Sequence, residues 1–147
     1  MTLLRPAQPT DAGAVGAILS GFIDGTDWMP RIHTRAEDLS FAGHMIEQGW
    51  VTVAEDDSGI QAFAARNGAD VHALYVARAA QGQGVGAALL AHMQAATDRL
   101  TLWTFQANRG AQRFYLRHGF AEVERTDGAR NDEGLPDIRY DWHKDAP

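Results

Sequence analysis

Apolar residues recur along this chain with two periods, and the change from one to the other marks out its elements. Residues 2–5 are a short apolar run that predicts a strand. Pro9-Thr10-Asp11 then opens a helix, because Thr10 or Asp11 is able to cap its free N–H groups. Val15, Ile18, Leu19 and Phe22 follow at helical spacing and are expected to face the core. Gly21 and Gly25 weaken the end of that helix, and Asp24 to Arg31 reads as a loop carrying Trp28 and Met29. Thr34-Arg35-Ala36-Glu37 is a capping box, so a second helix is predicted to run to about Gln48 and to bury Leu39, Met45 and Ile46.

From Trp50 the period shortens to two. Trp50 to Ala54 predicts a strand, ended by the turn Asp56-Asp57-Ser58-Gly59. Ile60 to Arg66 pairs back on it, Asn67-Gly68 is a two-residue hairpin signal, and Val71 to Val76 gives the next strand. These three form an antiparallel meander. The glycine-rich stretch Gln81 to Gly86 then leads into an Ala/Leu-rich helix ending near Ala96. Leu100 to Thr104 is a strand, and Asn108 to His118 a helix stopped by Gly119, with Phe114 and Leu116 among its apolar residues. Phe120 to Val123 and Ile138 to Trp142 complete the set as strands. The fold class is α/β (α+β): a mixed, mainly antiparallel sheet of six to seven strands, with about four helices packed on both faces.

Composition narrows the function. The 147 residues show no repeat and no biased linker, and are read as one domain spanning 1–147. Thirteen Lys and Arg against nineteen Asp and Glu give a net charge of −6, which argues against nucleic acid as a partner. No run approaches the ~20 apolar residues of a membrane span, and Met1 to Pro6 is unlike a signal peptide, so a soluble cytoplasmic protein is expected. With no cysteine, thiolate nucleophiles, disulfides and cysteine-bound zinc are excluded. Histidines 33, 44, 92, 118 and 143 show no ligand spacing, and His44 with Glu47 lacks a third partner, so no metal is predicted.

The stretch Gln81-Gly82-Gln83-Gly84-Val85-Gly86-Ala87 lies between a strand and a helix. Backbone free of side chains lets a bulky anion approach, and the helix start offers unpaired N–H groups, which favours a phosphate or pyrophosphate. A tight turn with close helix packing would read the same way. A Walker A loop fails, because no Lys-Ser/Thr pair follows Gly84. A dinucleotide fingerprint is nominally met by Gly82, Gly84 and Ala87. It fails on its acidic partner ~20 residues on, where Leu102 to Phe105 stand.

Taken together, these residues resemble the GCN5-related N-acetyltransferases (GNAT). That family's Q/R-x-x-G-x-G/A signature is matched by Gln81, Gly84 and Gly86, and its N-x-x-A-x-x-F-Y run by Asn108, Ala111, Phe114 and Tyr115. Arg117-His118-Gly119-Phe120 is similar to the family's helix-exit sequence, and the order of elements agrees over nearly the whole chain. The resemblance implies an acyltransferase moving acetyl from acetyl-CoA to an amine. It places the amides of Gln81, Gly82, Gln83, Gly84, Val85, Gly86 and Ala87 on the pyrophosphate. The backbone of Leu74, Tyr75 and Val76 would pair with the pantetheine arm, and Asn108 would touch the cofactor. Arg78, Arg109 and Arg113 would add positive field, or are solvated surface charges.

Tyr115 stands at the family's tyrosine position, where its hydroxyl would protonate the departing thiolate; the other reading is a core aromatic beside Phe114. By strict alternation Asp70, His72, Leu74 and Val76 share one strand face. His72-Ala73-Leu74 is similar to the H-A-L run of arylalkylamine N-acetyltransferases, in which histidines assist deprotonation through water. The second histidine of that pair falls at Asp70 here, so His72 is the candidate base, with Asp70 beside it and Glu55 weaker. A histidine merely bonded within the sheet fits equally.

In the family the acceptor enters over the loop joining the first two helices. Here Asp27 could attract an amine and Trp28 could stack on it, or both simply serve the loop. Asp132, Glu133 and Asp137 would rim the same mouth. A small-molecule primary amine is the leading partner. A protein or peptide amine, or a regulatory module binding acyl-CoA without turnover, is the alternative, and the resemblance leaves room for a homodimer.

Overall fold

The computed structural model describes residues 1–145. Strand β1 (Leu3–Pro6) is followed by a single 3-10 turn at Pro9–Asp11, then by helices α1 (Ala12–Asp24) and α2 (Arg35–Glu47). The meander is β2 (Val51–Asp56), β3 (Gly59–Asn67) and β4 (Asp70–Val76). Then come α3 (Val85–Ala96), β5 (Arg99–Phe105), α4 (Arg109–Arg117), β6 (Ala121–Thr126) and β7 (Asp137–His143). All seven strands join one sheet in the order β1-β2-β3-β4-β5-β7-β6, antiparallel except at β4–β5.

Alternation along the central strands makes two cores. Val53, Phe63, Ala65 and Ala73 face α1 and α2, meeting Val15, Leu19, Ala42, Met45 and Ile46. Ala62, Ala64, Leu100, Leu102, Ile138 and Tyr140 face α3 and α4, meeting Leu89, Leu90 and Tyr115. Alanines on β3 keep that strand's surface low, so helices on both sides pack close to it.

Leu39 departs from expectation: it is 47% exposed, and Asp38 occupies the inward position. The reason is a tight helix crossing. A Cβ on Gly16 would stand 3.1 Å from the Leu39 Cα, so the α2 backbone lies directly on α1 and the Leu39 side chain has no room inward. Asp38 fits because its carboxylate accepts from the Ser20 hydroxyl at 2.6 Å and from Arg31 Nη1 at 3.0 Å. Asp11 also acts differently than expected, its carboxylate accepting from the Gln8 N–H at 2.7 Å and from Arg5 at 2.8 Å rather than capping α1.

Candidate active site

The parallel strands β4 and β5 share a single registered pair, Asp70 with Thr101, beside which Thr101 N–H donates to the Ala69 carbonyl at 2.8 Å. Past that pair they separate, leaving a cleft of about 530 Å³. Leu74, Tyr75 and Val76 form one wall, Leu102 to Phe105 the other, and Phe114 and Tyr115 of α4 close its side. Two facing strand edges without ladder partners are groups that need hydrogen bonds.

The glycine loop stands at the wide end. Gly82 (φ +78°) and Gly84 (φ +81°) adopt the left-handed conformation that favours glycine, and open space lies where a Cβ would project from each. Gly84 is also the N-cap of α3, so the loop amides and the helix start present one positive surface. The Gln81 amide donates to the Val76 carbonyl at 3.3 Å and that of Gln83 to Ala79, fixing the loop to the end of β4. Gln81, Gly82 and Gly86 line the cleft; a Cβ on Gly86 would meet Val76 at 3.4 Å and Phe114 at 3.8 Å, so its glycine serves close packing. Val85 is buried in the core, and Ala87 follows in the first turn of α3. Arg78 donates to the Gly25 carbonyl at 3.2 Å, tying this end to the α1–α2 loop. Arg109 and Arg113 are exposed on α4.

Tyr115 is packed in the core and also faces the cleft. Its ring is buried among Phe114 (5.3 Å), Phe120 (5.4 Å) and Tyr140 (6.2 Å), while the residue lines the cleft. Among the described residues only Arg139 Nε is a sealed side-chain polar atom that makes no hydrogen bond, so the Tyr115 hydroxyl is not sealed off. Burial raises its pKa, with the neighbouring Tyr75 hydroxyl adding to the effect. Burial and the Glu133 carboxylate push the Tyr75 hydroxyl up to about 12. Both tyrosines therefore keep their hydroxyl protons at neutral pH.

Asn108 lines the cleft and is also the N-cap of α4, its Oδ1 accepting from Ala111 N–H at 3.1 Å. Gln112 donates to the carbonyls of Phe105 (3.3 Å) and Gln106 (2.7 Å), so α4 is held against the end of β5 and Tyr115 with it.

Strict alternation along β4 does not hold. Ala65 opposes Ala73, yet Arg66 opposes Val71, so His72 is an extra, bulged residue. The bulge turns His72 out of the face shared by Leu74 and Val76 and lays it flat on Trp50, 4.8 Å away at 14°. Trp50 in turn meets His44 edge-on at 5.8 Å. His72 remains on the cleft wall, whereas Asp70 is exposed at the closed end and outside the lining residues. Glu55 accepts from Arg5 at 3.1 Å on β2, with β3 and β4 between it and β5, which removes it as a base.

A second cavity, about 780 Å³, adjoins the cleft across Phe22, Tyr75 and Phe105. Its walls come from α1, α2 and the loops after α1 and β6. Met29, Pro30, Ile32 and Phe41 make it apolar; Glu37, Asp132 and Glu133 make it acidic. Asp27 and Trp28 do not line it. Asp27 is exposed, and Trp28 packs edge-on against Phe22 (6.3 Å) and Phe105 (5.7 Å), supporting the wall from behind. Asp137 also has an internal role, holding the β6–β7 loop through Thr126 and Asn131 (3.1 Å). In the same loop Gly128 (φ +86°) lies so near the Leu135 backbone that no side chain fits. No local pattern in the sequence marks Ile32 or Phe41 as lining this cavity, and for Tyr75 the one signal is the alternation that opposes it to Leu74.

Comparison with known proteins agrees with this geometry. Residues 47–122 match the family model described as an acetyltransferase (GNAT) domain, which is more than half of the chain, and the chain belongs to that family. It is an N-acetyltransferase of the family whose co-substrate is acetyl-CoA. Among solved structures it is similar to YjaB from Escherichia coli, at 21% identity and a TM-score of 0.80, covering 97% of both chains. It is also similar to yncA from Salmonella typhimurium, solved with its cofactor acetyl-CoA, at 19% identity and a TM-score of 0.76, covering 100% of this chain and 96% of that one. A third is the ribosomal-protein-S18-alanine N-acetyltransferase from Escherichia coli, at 20% identity, TM-score 0.76 and the same coverage. No curated protein sequence matches the chain significantly, so at these identities the structural likeness shows the fold alone. No helix among the described residues is long and apolar enough to cross a membrane.

Proposed function

We propose that the protein transfers the acetyl group of acetyl-CoA directly to the nitrogen of a small-molecule primary amine, with Tyr115 as general acid. One observation carries this reading: the split between β4 and β5 meets the acidic cavity at Tyr75, with Tyr115 on the split's side wall. A thioester in the split and an amine in the cavity would then approach each other there. The residues present fit the co-substrate. The free edge of β4 at Leu74 to Val76 suits an amide-bearing arm, and the open glycine loop at the start of α3 suits a pyrophosphate.

The reaction forms one C–N bond and breaks one C–S bond. The acceptor first loses its ammonium proton, and His72 on the cleft wall takes it through water. Tyr115 gives its hydroxyl proton to the departing sulfur and recovers one from the newly acylated nitrogen. Asp70, at the closed end, takes no part in these transfers. Its strand pairing with Thr101 sets where the split begins.

A small acceptor is favoured over a folded protein because the cavity is walled by two loops and two helices rather than laid out as an extended groove. Tyr115→Phe tests the assignment. Turnover is expected to fall ~10²–10⁴-fold with acetyl-CoA affinity nearly unchanged, the range for losing one acid–base group. Wild-type turnover in the variant, under conditions where chemistry limits the rate, returns Tyr115 to core packing alone.

A further inference from the structure

We infer that the acceptor is an uncharged-bodied monoamine: an apolar or aromatic group carrying one primary ammonium and no carboxylate, with Glu133 as the residue that holds the ammonium. The inference rests on the acetyltransferase reading and deepens it.

The cavity sorts its chemistry by depth. Ile32 and Phe41 are 45% and 46% exposed and stand where an entering ligand first makes contact. Large apolar side chains left half in water at the mouth of a cavity gain from covering by another apolar surface. At the inner end Phe22, Tyr75 and Phe105 are shared with the cofactor cleft, so the reacting nitrogen must end beside them. Glu133 lines this cavity and also, together with Phe105 of the inner end, the pocket next to it, and its charge is felt at the Tyr75 hydroxyl.

The other acids are differently engaged. Asp38 is bound by Ser20 and Arg31. Glu37 and Asp132 flank His33 at 3.7 and 3.8 Å, nearer the rim. Glu133 forms no ion pair among the described residues, which leaves its carboxylate available to an ammonium. No lysine or arginine lines this cavity; beside His33, which Glu37 and Asp132 flank, and His44, which packs on Trp50, its ionisable lining is acidic, so an acceptor's own carboxylate would meet chiefly negative charge there. Arg130 lies across Glu133 in the neighbouring pocket, and Arg139 beside it faces Glu124 at 3.6 Å and Asp141 at 3.5 Å.

The test measures kcat and KM with acetyl-CoA and four acceptors: phenethylamine, phenylalanine, putrescine and a short lysine peptide. Phenethylamine is expected to give the highest kcat/KM, at least tenfold above phenylalanine, which differs from it by a carboxylate. Glu133→Gln is expected to raise the KM for phenethylamine about ten- to a hundredfold, the worth of one charge-assisted hydrogen bond, with the KM for acetyl-CoA unchanged. Phe41→Asp is expected to raise the same KM without affecting acetyl-CoA. Should Glu133→Gln fold poorly, Phe41→Asp and the wild-type acceptor ranking still decide the matter. Preference for phenylalanine would hand the acceptor carboxylate to Arg130 and overturn the inference, as would preference for putrescine or the peptide, or a KM indifferent to Glu133. Failure of every amine to be acetylated while acetyl-CoA binds would instead overturn the acetyltransferase reading.

Discussion

Asp70 and Thr101 face each other as the one registered pair between the parallel strands β4 and β5. Elsewhere the sheet is continuous, with seven registered pairs between β5 and β7 alone. The site is thus a place where pairing stops, and its unpaired strand edges are what a peptide-like ligand is able to complete.

Acetyl-CoA is therefore expected to stabilise the fold by mass action, about 2.7 kcal/mol at a hundredfold excess over its dissociation constant. NADH should give no such shift in a thermal melt. Gly84→Val should cost about 1–2 kcal/mol from its left-handed backbone and remove the acetyl-CoA shift, because the new side chain fills the open space above the loop. Equal stabilisation by NADH contradicts the assignment of the loop.

All three tyrosines are held above their ordinary pKa of 10, Tyr75 at about 12, chiefly by burial. A folded-state pKa above the unfolded one contributes stability that is full below pH 10 and is lost as pH rises beyond it. Ultraviolet titration of the folded protein should accordingly show less phenolate at pH 10 than the unfolded chain does, and the full three only on alkaline unfolding. A folded-state titration that matches that of the unfolded chain would mean that Tyr75 and Tyr115 are open to bulk water.

His72→Ala should slow turnover while leaving the KM for acetyl-CoA unchanged, and added imidazole should restore part of the rate. The stacked geometry on Trp50 makes the companion variant informative. Trp50→Ala frees the imidazole and should slow the reaction less than removing the ring altogether. An unaltered rate in His72→Ala assigns the amine's proton to bulk water.

At the far edge of the sheet Asp11 is depressed in pKa, first by its hydrogen bonds from Arg5. A depressed carboxylate contributes stability that is present above its unfolded pKa of 3.8 and is lost as pH falls through the lower folded value. Asp11→Asn should therefore lower the melting temperature at neutral pH and flatten its decline in acid. Parallel acid limbs in the two proteins would show the pair to be energetically silent.

Much of this was legible in the sequence because the signals were local. The capping box at Thr34 and Glu37 and the glycine loop each act within a few residues and stand where their chemistry puts them, and the β3–β4 hairpin forms one residue beyond the Asn67-Gly68 signal, with Asn67 paired to Asp70 and Gly68 and Ala69 in the turn. Where sequence and structure differ, the cause is a distant contact or a break in the period. Helical period points Leu39 inward, but the Gly16 contact that turns it outward comes from another helix. Alternation puts His72 beside Leu74, and a bulge against Ala65 and Arg66 breaks that alternation. The second cavity joins α1, α2 and a loop more than eighty residues further on, and no local pattern announces such an encounter.

Movement of acetyl from acetyl-CoA to an amine at the meeting of the two cavities is tested most directly by incubation with acetyl-CoA and phenethylamine, followed by mass spectrometry of the amine and thiol titration of released CoA. N-acetylphenethylamine and free CoA are expected in equal amounts, both falling together in Tyr115→Phe. CoA released without acetylated amine, or acetylated amine formed undiminished by Tyr115→Phe, would contradict it.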